Sequence, residues 1–455
     1  MTCNDDDTLL AGAAHIDITP PPDCLLDGFA ARDHGCEGIH DELYAEAVAF
    51  SRHGDKAVIL GLDLLGLTDD QIDTIWEKAE RRFGLAPDRL FINCSHTHAG
   101  PMIRPRYNSK FCKDGEACLP DEDYIETLIE KILDAIDTSL GNMRPSRVEW
   151  AMGKTKIGIY RRSKDISIYK GVISKRHRIF ENFPNFEKDV DRNCPALLFT
   201  GLDGKPIGLI FSASCHPTTM SYDNYTVSAE YPGAAKRILR ERFDGVTPLF
   251  LQGIGGDVKP YRVADGDRFR SGTYEDVEAV GKELARDVIR ALEKGTFPVD
   301  ISIRTALKRY PLPLAFGWDE ETYRIMSTEN ESEYRRIWAK HWLDRIASGE
   351  TIPVSRDITL SIFELSPTLR FLGIAGELLT DMGWILEGLF RNGTTLPMGY
   401  TNGRIGYIPD SQVMKEGGYE PVETIYFTND MPAPWRDDIE YILRLSFRDL
   451  ERRLS

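Results

Sequence analysis

No stretch of the chain reaches the roughly 18 consecutive apolar residues that a membrane span needs. The longest candidate, 57–67, is interrupted by Asp63, so no stable membrane insertion is expected. There is no surplus of positive charge either: 56 Lys and Arg stand against 72 Asp and Glu, a net −16. Such a surface repels polyanions, and nucleic acid and anionic membrane drop out as partners. The eight cysteines lie between Cys3 and Cys215 and form no C-x-x-C spacing of a zinc ribbon or redox pair. Reduced thiols are expected, with Cys112 and Cys118, in FCKDGEAC, as the one close pair in sequence. The opening MTCNDDDTLLAGAAH has three aspartates where a secretory leader needs a cation and a long apolar run, which predicts a cytoplasmic chain. Repeats, low-complexity tracts and a Pro/Gly-rich linker are also missing, so residues 1–455 are expected to form one catalytic unit.

What is present is an ordinary globular balance, 42% hydrophobic and 28% charged over 455 residues. Short apolar runs rich in β-branched residues at 57–62, 90–94, 196–200, 207–213, 249–252 and 369–374 predict buried strands. Stretches with apolar residues at three- and four-residue spacing, at 69–83, 123–139, 234–243, 274–294 and 321–348, predict amphipathic helices. Strands alternating with helices give an α/β, mixed α+β, fold class. The polar, aromatic stretch 161–193 is expected to be a loop that covers a site, and 262–350 a helical insertion.

Four polar motifs each begin where an apolar run ends. RLFINC leads into SHTHAGP, GLIFSAS into CHPTT, LFLQ into GIGGDVKP and RFLGI into AGELLTDMG. Ligands of open α/β sheets bind outside the carboxyl ends of strands, so these motifs are expected to share one crevice containing His96, His98, His216, Asp257 and Glu377. In an H-x-H that continues a strand, both rings fall on one side of the chain. Two imidazoles and a carboxylate, with a position left for water, are the set with which zinc makes water nucleophilic and polarises a carbonyl. The alternative for the same residues is structural: hydrogen-bonded histidines, and a Glu377 that caps a helix.

The chain resembles the neutral/alkaline, non-lysosomal ceramidase family, and in particular its compact bacterial relatives. The resemblance starts at GAAHIDITPPP and GIHDELYAEAVAF and runs through VILGLDLLGL, FINCSHTHAGP, SCHPTTM, SAEYPGAAKR and QGIGGDVKP. It ends with AGELL and GYTNGRIGYIPDSQVMKEGGYE, and so extends from Ala11 to about Glu420. It implies a ceramidase-like catalytic domain holding one zinc ion. His96 and His216 match the family's two histidine ligands, Glu377 its carboxylate ligand and Tyr407, in NGRIGYIP, its tyrosine ligand. A tyrosine serves there because a cation stabilises the phenolate, whose free pKa is about 10. His98 matches the histidine that faces the substrate. Arg161 or Arg162, in YRRS, matches an arginine near the family's active site.

Three departures qualify this. Lys259 stands in GGDVKPY where the ceramidases have a catalytic serine, so a serine scheme does not carry over. Lys259 is instead a candidate for stabilising an oxyanion or binding an acidic substrate group, or else it faces solvent. Gly255 and Gly256 suit a loop running close to a ligand. Asp257 is expected to fix that loop and is kept among the catalytic candidates. Glu230 replaces an aspartate, and the chain stops at Ser455 without the family's C-terminal β-sandwich domain. The expectation is therefore a zinc hydrolase in which metal-activated water cleaves an amide (N-acyl) bond of a small molecule, smaller or more polar than ceramide. The alternatives are a zinc enzyme of the same fold acting on a sugar-derived ester, lactone or glycoside, and a ligand-binding pseudoenzyme. A homo-oligomer is left open.

Overall fold

A computed structural model describes residues 7–106, 117–163, 181–329, 332–428 and 430–454. Its strands form two four-stranded halves joined at one seam. Leu10–Asp17, Tyr44–Arg52 and Asp55–Leu62 run antiparallel in that order, and Leu90–Cys94 adds in parallel at the edge. Arg144–Lys154, Asn193–Gly201 and Pro206–Ala213 are likewise antiparallel, with Thr247–Gln252 added in parallel. The halves are joined by the Leu10–Pro145 and Ala11–Arg144 pairs. The side chains alternate accordingly. Ala45, Ala47 and Ala49 face one apolar cluster while Val48 and Phe50 face another, which also takes in Leu197, Phe199, Leu249 and Leu251 of the second half. The halves therefore stack face to face on that second cluster, with Phe50 and Phe199 ring centroids 5.7 Å apart.

Helices cover the two outer faces. Asp69–Phe83 and Glu122–Gly141 share the first half's outer cluster, and Glu230–Arg242 and Tyr274–Lys294 cover the second half. The helix Asp69–Phe83 has its predicted bounds because its ends are capped. Thr68 and Gln71 form a capping box, and Gly84 closes the helix at φ 67. A smaller sheet of Arg304–Pro313, Ser355–Ser366, Leu369–Ile374 and Thr394–Met398 packs on the same central layer, with Phe91 5.6 Å from both Phe363 and Phe371.

The mixed α/β class holds, and all six predicted strand runs are strands. Three details differ. The predicted 321–348 helix is two, Glu320–Glu329 and Glu333–Ala347, the second starting after Ser332 in an extended N-cap conformation. The stretch 262–350 contains these helices and Tyr274–Lys294, but also Arg304–Pro313, a full strand of the smaller sheet. Of 161–193, residues 164–180 lie outside the described residues. The flanks are strands, Gly158–Ser163 pairing with Glu181–Asn185 and with Val258–Pro260. Gly158–Ser163 is buried at its first five positions, so it lacks the polar half of a two-residue period, and a register shift opposite Tyr160 and Arg162 makes the pairing with Glu181–Asn185 irregular. Cys112 also lies outside the described residues, and the thiols that do approach are Cys24 and Cys36, Sγ to Sγ 3.5 Å.

Candidate metal centre

The two edge strands that carry the histidine and glycine motifs meet at their ends. Asn93 accepts from the Gln252 backbone N–H (2.7 Å) and donates to the carbonyls of Gln252 (3.3 Å) and Gly399 (2.8 Å). Past this junction the chain turns sharply at His96, whose φ of 67 is unusual for a side-chain-bearing residue. His216 follows Pro206–Ala213, its N–H bonded to the Val258 carbonyl at 3.0 Å. Glu377 and Tyr407 are directly paired in a short parallel ladder, Glu377–Leu378 with Tyr407–Ile408.

The buried side chains converge. His96 Nε2 and His216 Nε2 each lie 3.3 Å from Glu377 Oε2. His98 Nε2 is 3.2 Å from His96 Nε2, and the nitrogens of His96, His98 and His216 fall within 4.8 Å of one another. Two of the outer ring nitrogens have a carbonyl: His96 Nδ1 meets Leu65 O at 2.7 Å and His216 Nδ1 meets Gly255 O at 2.5 Å, whereas among the described residues His98 Nδ1 is buried without a partner. A carbonyl accepts only, so in His96 and His216 Nδ1 carries the proton and Nε2 presents a lone pair inward. Among the described residues His216 Nε2 and Glu377 Oε2 are buried without a hydrogen-bond partner. Oxygen and nitrogen donors bound tetrahedrally at roughly 2.0–2.1 Å stand about 3.3 Å apart. The donor set fits a divalent cation of zinc's size and preferences, and His98 is close enough to join it.

The electrostatics agree. Burial pushes His216 down to about 3, with Arg161 adding to the effect, and lowers His98 and His96 as well, so the imidazoles are neutral at pH 7. Burial would raise the Glu377 carboxyl, but Arg404 and the histidines outweigh it and hold it well below the usual carboxylate range. Arg404 donates to Glu377 Oε1 from Nε (3.0 Å) and Nη2 (2.6 Å), leaving Oε2 for the histidine side. Such outer partners fix a ligand's orientation and charge. Burial pushes the Tyr407 phenol well above its usual range against the pull of Arg161, whose Nη2 donates to Tyr407 Oη at 2.9 Å.

The remaining candidates take outer positions. Arg161 Nε bonds Glu420 Oε1 at 3.0 Å, and Arg162 pairs with the same carboxylate. Asp257 accepts from the N–H (2.9 Å) and hydroxyl (2.6 Å) of Thr380, fixing the start of the helix Thr380–Glu387. Burial pushes its carboxyl up to about 7. Lys259 does not line the cavity over the histidines. Its ammonium sits 5.1 Å from the Phe269 ring centroid, lowered to about 8 by burial and by Arg161.

That cavity, about 210 Å³, is lined on its polar side by His96, His98, Glu377, Arg104 and Arg404 and on its apolar side by Phe29, Ile425, Phe427 and Trp435. Sequence reasoning singled out neither Arg404 nor Glu420, though a charged residue within the glycine-rich NGRIGY, three positions before Tyr407, was a signal.

Comparison with known proteins gives a consistent result. A family model described as neutral/alkaline non-lysosomal ceramidase, N-terminal, matches residues 9–259, which include His96, His98 and His216 but neither Glu377 nor Tyr407. The chain is 22% identical over 240 residues to a neutral ceramidase of Oryza sativa subsp. japonica, a match spanning 51% of this chain and 29% of the relative. It is 25% identical over 244 residues to neutral ceramidase 2 of Arabidopsis thaliana, spanning 52% and 30%. The match thus spans under a third of these relatives' length. The structure of neutral ceramidase from Pseudomonas aeruginosa superimposes with a TM-score of 0.72 at 15% identity, covering 98% of this chain and 74% of that one. A structure titled ceramidase complexed with C2 gives 0.73 at 14%, covering 98% and 75%. At such identities the likeness is one of fold.

Proposed function

The chain belongs to the neutral/alkaline non-lysosomal ceramidase family, and from that premise we propose that it is a zinc-dependent hydrolase of an amide (N-acyl) bond in a small, polar substrate. The observation that carries the reading is the pair of 3.3 Å approaches of His96 and His216 to one oxygen of Glu377, with both Nδ1 atoms held by carbonyls. His96, His216 and Glu377 would hold the ion, with Tyr407 as the fourth ligand. A zinc ion bound there supplies Lewis-acid polarisation of a carbonyl and a nucleophilic water at neutral pH.

The chain's own residues do the rest. Arg404 keeps Glu377 ionised and aims Oε2 between the two histidines. Arg161, anchored on Glu420, holds the Tyr407 oxygen and favours its ionised form. His98, neutral and beside the histidine pair, presents its Nε2–H to the centre and would orient the reacting carbonyl and stabilise the developing oxyanion. Asp257 positions Arg161 through its carbonyl, which accepts the Arg161 N–H at 2.9 Å. The cavity's small volume and its arginines favour a substrate smaller and more polar than ceramide.

The test is elemental mass spectrometry of the purified protein with His96→Ala and Glu377→Ala prepared in parallel, followed by assay of short-chain N-acyl amides. About one zinc per chain, lost in both variants together with hydrolysis, supports the proposal. A folded wild type that takes up no metal when zinc is supplied overturns it.

A further inference from the structure

Arg104 leaves the histidine loop and lines the same cavity, and its charge is only half answered. Three guanidinium groups reach this cavity. Arg404 is committed to Glu377. Arg106 pairs with Asp27, and Arg104 Nε donates to the other oxygen of that carboxylate at 3.2 Å. Asp27 also accepts the Gly28 N–H at 2.8 Å. One buried carboxylate is therefore shared by two arginines, and among the described residues the terminal nitrogens of Arg104 take no hydrogen bond. Of the other lining carboxylates, Glu420 is held by Arg161 and Arg162, while Asp430, which is exposed, and Glu377, which is bonded to Arg404, favour the Arg104 charge only through space, with no hydrogen bond to it among the described residues. The Arg104 side chain is 18% exposed. Burial, with Arg404 nearby, pushes it down to about 9, so it is still a cation at neutral pH. A largely desolvated cation with half a counter-ion at the wall of a ligand-sized cavity is a binding element awaiting a negative group. The apolar wall of Phe29, Ile425, Phe427 and Trp435 suits the carbon chain attached to that group.

We propose that Arg104 forms a subsite for an oxyanion, a carboxylate or phosphate monoester, carried by the molecule that this cavity accepts. As a statement about substrate this rests on the hydrolase reading, but as a binding site it does not. Arg104 would donate two parallel N–H bonds to the group, which selects acidic N-acyl compounds over neutral ones.

The experiment is isothermal titration of hexanoate, hexyl phosphate and hexanamide into the wild-type protein and into Arg104→Gln and Arg104→Lys, each variant first checked for wild-type circular dichroism and thermal unfolding. Charge-assisted hydrogen bonds correspond to roughly a 10- to 100-fold preference of the wild type for an anion over hexanamide. The tighter anion identifies the group. Arg104→Gln should erase the preference and Arg104→Lys retain part of it. Hexanamide binding as tightly as both anions overturns the proposal. So does a preference that survives in Arg104→Gln, which would place the anion on the metal or on Arg404. In parallel, N-hexanoylglycine and its methyl ester are assayed, and the ratio of their kcat/KM values should fall 10- to 100-fold in Arg104→Gln. Wild type that binds anions through Arg104 but hydrolyses no N-acyl compound sinks the hydrolase reading alone. Hydrolysis without preference for the acid sinks the subsite alone.

Discussion

Gly28→Ala tests the placement of His98 without touching any residue assigned to the metal. Gly28 adopts φ 96, and a Cβ built on it lies 2.5 Å from His98 Nδ1, 2.6 Å from Cγ and 2.8 Å from Cβ. Carbon contacts are comfortable at about 3.5–4.0 Å, so the ring must retreat by about 1 Å. It has little room to do so, because His98 Nε2 already stands 3.2 Å from His96 Nε2 and Phe29 stands 4.7 Å from the ring centroid. The left-handed backbone adds about 1–2 kcal/mol for a residue with a Cβ, and overpacking typically adds about 1–3 kcal/mol. The expected outcome is a destabilisation of about 2–5 kcal/mol, and displacement by about 1 Å costs roughly 100-fold in kcat/KM. Zinc content should stay at the wild-type level. The assay pairs thermal unfolding and metal analysis with kinetics on the best N-acyl substrate, and Gly38→Ala serves as control because a Cβ there meets nothing within 4 Å. A Gly28→Ala protein with wild-type melting and wild-type kcat/KM would refute the placement of His98 against Gly28.

Two further perturbations probe the outer groups. Arg404→Met removes both charged bonds to Glu377 Oε1. It should weaken zinc binding about 10- to 100-fold in competition with a chromogenic chelator, and unchanged affinity would contradict the orienting role. Glu230, buried at the start of its helix, has its carboxyl pushed by burial from 4.5 to about 7. A raised acid is protonated in the folded state while the unfolded chain ionises. Its contribution is full below about pH 4.5 and is lost as pH rises to about 7, by about 3 kcal/mol in all. Denaturant unfolding of wild type and Glu230→Gln across pH 4–8 should show the wild type losing ground to the variant over that window. A constant difference would mean that Glu230 folds already ionised.

The strands and the four motifs at their ends were legible because each is local. An apolar run, then polar residues, reads off directly, and strands of both sheets place SHTHAGP, CHPTT, GIGGDVKP and AGELL around one centre. How the halves stack was not legible. Tyr44–Arg52 is buried on both faces, with alanines on one side and Val48 and Phe50 on the other, so the polar half of the alternation that would orient it is missing. The outer partners were hidden for another reason. Glu420 lies 259 positions from the Arg161 it holds, and nothing in the spacing of either residue anticipates the pair. The reasoning open to the sequence was one of cost: Arg404 sits among Gly403, Ile405 and Gly406, and a charge folded into such a setting needs a partner nearby.

The same cost argument limits what composition can say about ligands. The net charge of −16 disfavours polyanions because they must contact a wide surface whose average sign is negative. A small anion meets only the charges within a few ångströms of its final position. Exposed charges farther than about 8 Å are largely screened at physiological ionic strength, whereas a guanidinium about 4 Å away in a partly desolvated cavity is worth about 4 kcal/mol at an effective dielectric of 20. Around the histidine cavity those near charges are Arg104, Arg106 and Arg404 set against Asp27, Glu377 and Asp430, with Glu420 held by Arg161 and Arg162. The acidic surface and the arginine-bearing cavity therefore bear on different ligands. The first disfavours large polyanions, and on the proposed subsite Arg104 would decide which small molecules are retained beside His98.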